Sequence, residues 1–264
     1  MIRKVKNVRI LCIGDVVGTA GCSFLRSHLP AFKKLHKVDL TICNGENSAD
    51  GNGITPKSAD HLFTSGVDVI TLGNHSFRRQ EVYSYLDENP YIIRPMNFPS
   101  PQTPGRGMCT VDMGYAQVTV LNLMGQEAID AHLDNPFTAI QRLLPKLESR
   151  IVLLDFHAEA TSEKRAMGLY LDGKVSAVFG THTHVMTADA EVLPGGTGYI
   201  PDVGMTGAID SVLGVKKEII INRFFTKLPA RFEYENAASK MDCIIFDIDN
   251  ASGKCTAATS YELR

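Results

Sequence analysis

The sequence predicts a mixed α/β fold in which two stacked β-sheets lie between helices. Three observations point there. The first ninety or so residues alternate short β-branched runs with stretches of helical periodicity. From residue 108 two strand-like runs follow one another with no helix between them, and the tail ends in a second such pair. Together they suggest a helix-covered sheet and, from the β-rich second half, another packed on it. With no linker, internal repeat or low-complexity tract in sight, residues 1–264 read as a single domain.

Taken in order, residues 8–13 form a β-branched run closed by Gly14-Asp15, the first buried strand. Residues 24–37 place Phe24, Leu25, Leu29, Phe32 and Leu35 at helical spacing, with Pro30 a candidate kink. Residues 40–43 are a second strand, ending in Asn44-Gly45-Glu46-Asn47. Thr55-Pro56 pairs an N-cap with proline at the first helical position, so a helix runs to Ser65 and stops at Gly66. A third strand, 67–72, ends in Gly73-Asn74-His75 and is followed by helix over about 79–88.

Pro99, Pro101 and Pro104 make 96–106 a loop, and 108–113 with 117–123 form a hairpin about Gly114-Tyr115. A helix over about 135–147 leads to strand 151–156, which delivers His157. Residues 175–179 are another short buried strand that breaks at Gly180 and runs into Thr181-His182-Thr183-His184. Residues 188–193 read as a strand, 195–198 as a turn, and 243–248 with 256–261 as the final hairpin.

Charge excludes one class of partner. Lys plus Arg (27) nearly balances Asp plus Glu (29), so bulk electrostatic binding of DNA is not expected. The basic pairs Lys33-Lys34, Arg78-Arg79 and Lys216-Lys217 are scattered and read as solvated. No run approaches 18 apolar residues, and basic residues 1–6 precede an apolar run too short for a signal peptide. Six cysteines without a C-x-x-C pair, three of them inside apolar runs, fit buried free thiols in a reducing cytoplasm.

Chemistry concentrates where strands end. Asp15, Asn44-Glu46-Asn47, Asn74-His75, His157, and His182 with His184 each follow a strand, and in α/β sheets ligands bind beyond the carboxyl ends of the strands. The two histidines of Thr181-His182-Thr183-His184, two apart in extended chain, would face one side. Carboxylates, amides and imidazoles without a thiolate suit manganese, iron or zinc in an active site better than a structural zinc cage. Singly, each has a plain alternative: Asp and Asn are ordinary turn residues, and a lone His is commonly a hydrogen-bonded core residue. Five in succession are harder to explain that way.

Gly14-Asp15, Asn44-Gly45-Glu46-Asn47, Gly73-Asn74-His75, Phe156-His157 and Gly180-Thr181-His182-Thr183-His184 resemble the motifs of the calcineurin-like metallophosphoesterases, in the family's order. More closely they resemble the YmdB branch, over about residues 8–207 and including Pro201-Asp202-Val203-Gly204-Met205-Thr206-Gly207. The resemblance implies a four-layer α/β/β/α fold and a two-metal phosphodiesterase acting on 2',3'-cyclic nucleotides. It implies one metal held by Asp15, Glu46, Asn47 and His184, with Glu46 bridging to a second held by Asn74, His157 and His182. His75 stands outside both as the acid. Two departures from the wider superfamily are Asp15-Val16-Val17 in place of Asp-x-His, and Glu46 in place of a bridging Asp; both fit the YmdB branch.

In that scheme a hydroxide held between the ions attacks phosphorus, and His75 protonates the departing ribose oxygen. The ions would be iron or manganese, with zinc or magnesium as alternatives, and the substrate a small cyclic nucleotide or an RNA end. A homo-oligomer is compatible with the sequence. Two rivals stand beside it. A dinucleotide-binding enzyme is suggested by Gly14, Gly18 and Gly21, but G-x-x-x-G-x-x-G is not G-x-G-x-x-G and leaves the histidines idle. A non-catalytic regulator that binds a cyclic nucleotide or RNA end through the metals would have no need of His75 as proton donor. Asp155 could orient a ligand imidazole, and Glu159, Lys164 and Asp202 read as rim-loop residues within reach of substrate. His28, His36 and His61 fall in helical stretches and His132 in a loop, without an expected role.

Overall fold

Alternation along β1 (Asn7–Ile13) sets up the architecture. Val8, Ile10 and Cys12 pack to one side, Leu11 and Ile13 to the other, and all five are fully buried. A strand buried on both faces needs cover on both, and the rest of the chain supplies it. The computed structural model describes residues 7–264 except 51, 130 and 131, so the basic stretch 1–6 lies outside the described residues.

After β2 (Asp15–Val16), α1 (Gly18–His36) crosses to β3 (Leu40–Asn44) and α2 (Pro56–Thr64) to β4 (Val69–Thr71). A 3-10 turn and α3 (Tyr83–Glu88) then lead to β5 (Ile92–Ile93). Strands β1, β3, β4 and β5 are parallel neighbours in that order. β6 (Met108–Asp112) and β7 (Gln117–Met124) form the expected hairpin and open the second sheet. α4 (Pro136–Leu143), β8 (Ile151–His157), α5 (Thr161–Leu171) and β9 (Ala177–Thr181) extend it in parallel. β10 (Glu191–Val192) and β11 (Gly198–Ile200) complete it, in the order β10-β11-β9-β8-β7-β6. The chain returns to the first sheet through β12 (Met205–Ala208), α6 (Lys217–Thr226), β13 (Ser239–Asp249) and β14 (Cys255–Leu263), with β13 antiparallel to β1 from Ile13↔Cys243 to Asn7↔Asp249.

Three apolar clusters separate the layers. Val8, Ile10, Leu40, Ile42, Val120, Leu153, Phe179 and Phe246 fill the space between the sheets. Leu25, Leu29, Phe32 and Leu62 seal α1 and α2 onto the outer face of the first sheet, while Ile140, Met167 and Leu171 seal α4 and α5 onto the second. The order is therefore helix, sheet, sheet, helix, as expected. All six cysteines are free and buried, and no described helix is long and apolar enough to cross a membrane.

Departures from expectation have physical causes. α1 starts at Gly18 rather than 24 because Thr19 donates its N–H (3.0 Å) and hydroxyl (2.7 Å) to Asp50, a tertiary partner no local pattern announces. Pro30 lies on its exposed side and does not end it. Two helices carry little periodicity: α5 buries Lys164 and Gly168 beside Met167 and Leu171, and α6 buries Ile220 alone. The strand expected over 188–193 shrinks to β10, and the turn expected over 195–198 hands Gly198 to β11.

Candidate metal centre

The face each strand turns toward the opposite sheet is apolar until its carboxyl end. Leu40 and Ile42 give way to Asn44, Val69 to Thr71, Val118 and Val120 to Asn122, Ile151 and Leu153 to Asp155 and His157, and Ala177 and Phe179 to Thr181. These six polar side chains are fully buried and bond across the two sheets. Asp155 accepts from Thr71 Oγ1, from Asn44 Nδ2 (3.2 Å) and from Thr181 Oγ1 (2.8 Å). Thr181 Oγ1 also lies 2.8 Å from His157 Nδ1.

On this floor stand two groups of candidate ligands. In the first, His157 Nε2 faces Glu46 Oε1 at 3.2 Å, Asn74 Oδ1 at 2.9 Å and His182 Nδ1 at 3.1 Å. In the second, Asp15 Oδ1 lies 3.6 Å from His184 Nε2, and Asn47 Nδ2 lies 3.3 Å from the same nitrogen. Glu46 and its neighbour Asn47 join the groups, with Asn47 Nδ2 3.4 Å from Glu46 Oε1, and Asp15 Oδ2 accepts the backbone N–H of His182 (3.0 Å). All seven residues expected to hold metal are thus brought together. Gly73 has to be glycine, since a Cβ there would stand 2.2 Å from His157 Nε2.

The way His182 and His184 reach their groups differs from expectation. The chain there is not extended: both residues have left-handed backbone, φ 101° and 63°, so the rings serve different groups instead of one face. What holds this strained turn is a buried pair. Asp202 accepts from the backbone N–H (3.1 Å) and hydroxyl (2.8 Å) of Thr183, and Lys164 donates to Asp202 (2.6 Å) and to Thr181 O (2.9 Å). Lys164 and Asp202 are therefore not rim-loop residues facing substrate; both are buried, and Lys164 lies within α5. Glu159 is exposed and pairs with His182 Nε2 at 3.1 Å. His28 stacks on Phe24, His36 lies tilted against Phe32, and His61 meets Cys22 O at 3.1 Å.

The electrostatics are those of crowded charge out of water. Burial works to raise Glu46, but His157 and His75 pull its carboxyl well below the usual range. Burial opposes the charged form of His157 too, yet Glu46 overrides it and pushes the imidazole up to about 9. His182, desolvated and next to His157, falls to about 4. Burial lifts Asp155 to about 6, still a carboxylate at neutral pH.

The donor set fits a divalent metal. A ring nitrogen carries at most one proton, yet His157 Nε2 meets three groups at hydrogen-bonding distance; and Asp15 Oδ1 is buried without a hydrogen bond. Among the described residues Glu46, His157 and His182 offer ligand atoms within 4.8 Å of one another. Converging lone pairs of this kind, all oxygen and nitrogen, call for a cation.

A cleft of about 880 Å³ opens from these residues. His75, Arg78, Arg79 and Asn52 line it on one side, and Leu213, Phe224, Arg231, Phe232 and Tyr234 on the other. Arg78 and Arg79 were expected to be merely solvated. Arg79 instead ties down the neighbouring loop, donating to Asn52 O (3.0 Å) and Asp50 O (2.7 Å). The wall between residues 212 and 234 lies beyond the recognised motifs, and its aromatic residues alone could have drawn attention to it.

The four layers are those of the metallophosphoesterase fold, and Glu46, His157 and His182 offer a place for a metal in it. The model of the YmdB-like protein family matches residues 11–260, and this chain belongs to that family. It is 45% identical over 249 residues to a 2',3'-cyclic-nucleotide 2'-phosphodiesterase of Bacillus subtilis, covering 94% of each chain. Among solved structures, a novel phosphatase from Mycoplasma pneumoniae superposes with a TM-score of 0.93 at 31% identity, covering 97% of this chain and 93% of that one. A hypothetical protein from Thermus thermophilus gives 0.90 at 41%, covering 97% and 98%.

Proposed function

We propose that this chain is a metal-dependent phosphodiesterase that hydrolyses 2',3'-cyclic nucleotides, the activity named for its Bacillus subtilis relative. The observation that carries the reading is the pair of donor groups joined at Glu46-Asn47, with His75 beside them in the cleft. Asp15, Asn47 and His184 would hold one ion and Asn74, His157 and His182 the other, with Glu46 between; turning the Asn47 amide about its last torsion presents its oxygen in place of Nδ2. Bound there, two divalent ions supply Lewis acidity to the phosphate and make water a stronger acid.

The chain's own part is to place a proton. Glu46 Oε2 accepts the backbone N–H of His75 (2.7 Å), and the Asn47 amide lies 3.0 Å from its Nδ1; once that amide is turned, its NH₂ donates to Nδ1 and leaves the ring proton on Nε2. Both contacts fix the ring, and no described residue takes Nε2, which is left to protonate the departing ribose oxygen. The ions in this reading are manganese or iron, with zinc or magnesium as alternatives. Six buried thiols suit a reducing cytoplasm, and short RNA with a cyclic-phosphate end is a second substrate form to assay. Incubation with 2',3'-cyclic AMP and Mn²⁺ should give the ring-opened monophosphate. Tight binding without turnover would replace the enzyme with a regulator.

A further inference from the structure

We propose that Asp155 and Thr181 are positioning residues that fix which nitrogen of His157 carries its proton, and so keep Nε2 available as a ligand. The inference rests on the metal-site reading above. Asp155 Oδ2 already receives two donors, Thr71 Oγ1 and Asn44 Nδ2 (3.2 Å), whereas its Oδ1 meets Thr181 Oγ1 at 2.8 Å and no other described group. Thr181 Oγ1 is the same distance, 2.8 Å, from His157 Nδ1. A hydroxyl has one proton to give. Given to His157, it would leave a buried carboxylate oxygen without a donor, a costly arrangement where no water reaches. Given to Asp155, it leaves the hydroxyl oxygen free to accept from His157 Nδ1–H, and every member is satisfied.

The direction therefore runs one way: His157 Nδ1–H donates to Thr181, and Thr181 donates to Asp155. With Nδ1 keeping its proton for Thr181, Nε2 is the nitrogen left to give its proton up and act as ligand, and it points at Glu46, Asn74 and His182. Asn44 Nδ2 also lies 3.3 Å from Thr181 Oγ1, but as a donor it takes only the second lone pair of the hydroxyl and leaves the Thr181 proton for Asp155. Asn44 Oδ1 accepts the Glu46 backbone N–H (3.2 Å), which fixes the amide, and its Nδ2 stands 3.4 Å from His157 Nδ1, well beyond the threonine oxygen. Lys164, packed against the same strand, donates to the Thr181 carbonyl and leaves the hydroxyl alone.

The chain can be reversed. In Asp155→Asn the carbonyl oxygen belongs where Thr71 and Asn44 donate, because Asn44 Nδ2 cannot accept; the new NH₂ then faces Thr181 Oγ1. The hydroxyl must turn and donate to His157 Nδ1, which moves the ring proton to Nε2 and closes the ligand position. Thr181→Val removes the link with little change of shape but loses the hydroxyl, and Thr181→Ser restores it.

The test is a calorimetric titration of metal-free protein with Mn²⁺, alongside ¹⁵N NMR of His157 in the Zn²⁺-loaded form and melting of the metal-free form. Asp155→Asn and Thr181→Val should bind Mn²⁺ roughly 10- to 100-fold more weakly. Thr181→Ser should stay close to wild type, and wild-type His157 should carry its proton on Nδ1. Unchanged affinity in both variants, or a wild-type proton on Nε2, would overturn the proposal. So would a weakening in Asp155→Asn and Thr181→Val that merely tracks a lowered melting temperature and that Thr181→Ser does not relieve. Wild-type protein that takes up no Mn²⁺ would remove the metal-site reading and this inference together.

Discussion

On one side of the cleft, Asn44, Thr71, Asn122, Asp155, His157 and Thr181 sit fully buried on strands of both sheets, each held by hydrogen bonds to the others or to backbone. On the other side, α6 buries Ile220 alone and leaves Phe224 65% and Phe225 85% exposed. The first region fixes atoms to a fraction of an ångström by packing from every direction. The second is carried by few contacts, among them the pairing of Val215 with Val212 and Tyr234 and the approach of His184 Nδ1 to Leu213 O (3.3 Å). Reactive chemistry demands placement of the first kind, while a wall that meets the rest of a substrate can be built on a segment of low local stability.

Substitutions can break or sharpen that contrast. The largest effect is expected at His75, which touches the rigid side but faces the cleft. His75→Ala should leave metal content and folding nearly unchanged and lower turnover of 2',3'-cyclic AMP by roughly 10² to 10⁴. The loss on bis-p-nitrophenyl phosphate should be far smaller, because p-nitrophenolate departs without a proton. Equal losses on both would assign His75 to the phosphate instead of the leaving group.

Metal removal comes next. A ligand present at about 100 times its Kd stabilises the folded chain by about 2.7 kcal/mol. In a chain of this size that is about 5–10 °C of melting temperature. Chelation, confirmed by elemental analysis, should lower the melting temperature by that order, since Asp15 and Glu46 are left buried and each feels the other's charge. An unchanged melting curve would mean the donors are stable without a cation. The smallest effect belongs to the exposed wall. Phe225→Ser should alter stability by no more than about 0.5 kcal/mol, whereas Phe156→Ala, under α5, should cost about 3–5 kcal/mol. A large loss at Phe225 would show that α6 is packed against something in solution.

How much of this was legible in the sequence follows the same division. The layer order could be read because nearly continuous apolar runs, as in residues 8–13 and 151–156, record burial on both faces. Donor residue types at strand ends could be read because ligands lie there in any α/β sheet. The left-handed turn at His182 and His184 could not, since it depends on Asp202 and Lys164, thirty-eight residues apart and joined only by folding. Nor could the start of α1, capped by Asp50 from a distant loop. The buried floor was legible in principle, as polar residues where the alternation calls for apolar ones: Asn44, Thr71, Asn122 and Thr181 all stand in phase with Ile42, Val69, Val120 and Phe179. α6 left no trace because it buries too little to impose a pattern.

The central claim, two ions on seven converging donors, is tested most directly by anomalous scattering from crystals grown with Mn²⁺. The account predicts two peaks, one among Asp15, Asn47 and His184 and the other among Asn74, His157 and His182, with the Glu46 carboxylate between them. A single peak, or density away from Glu46, would contradict it.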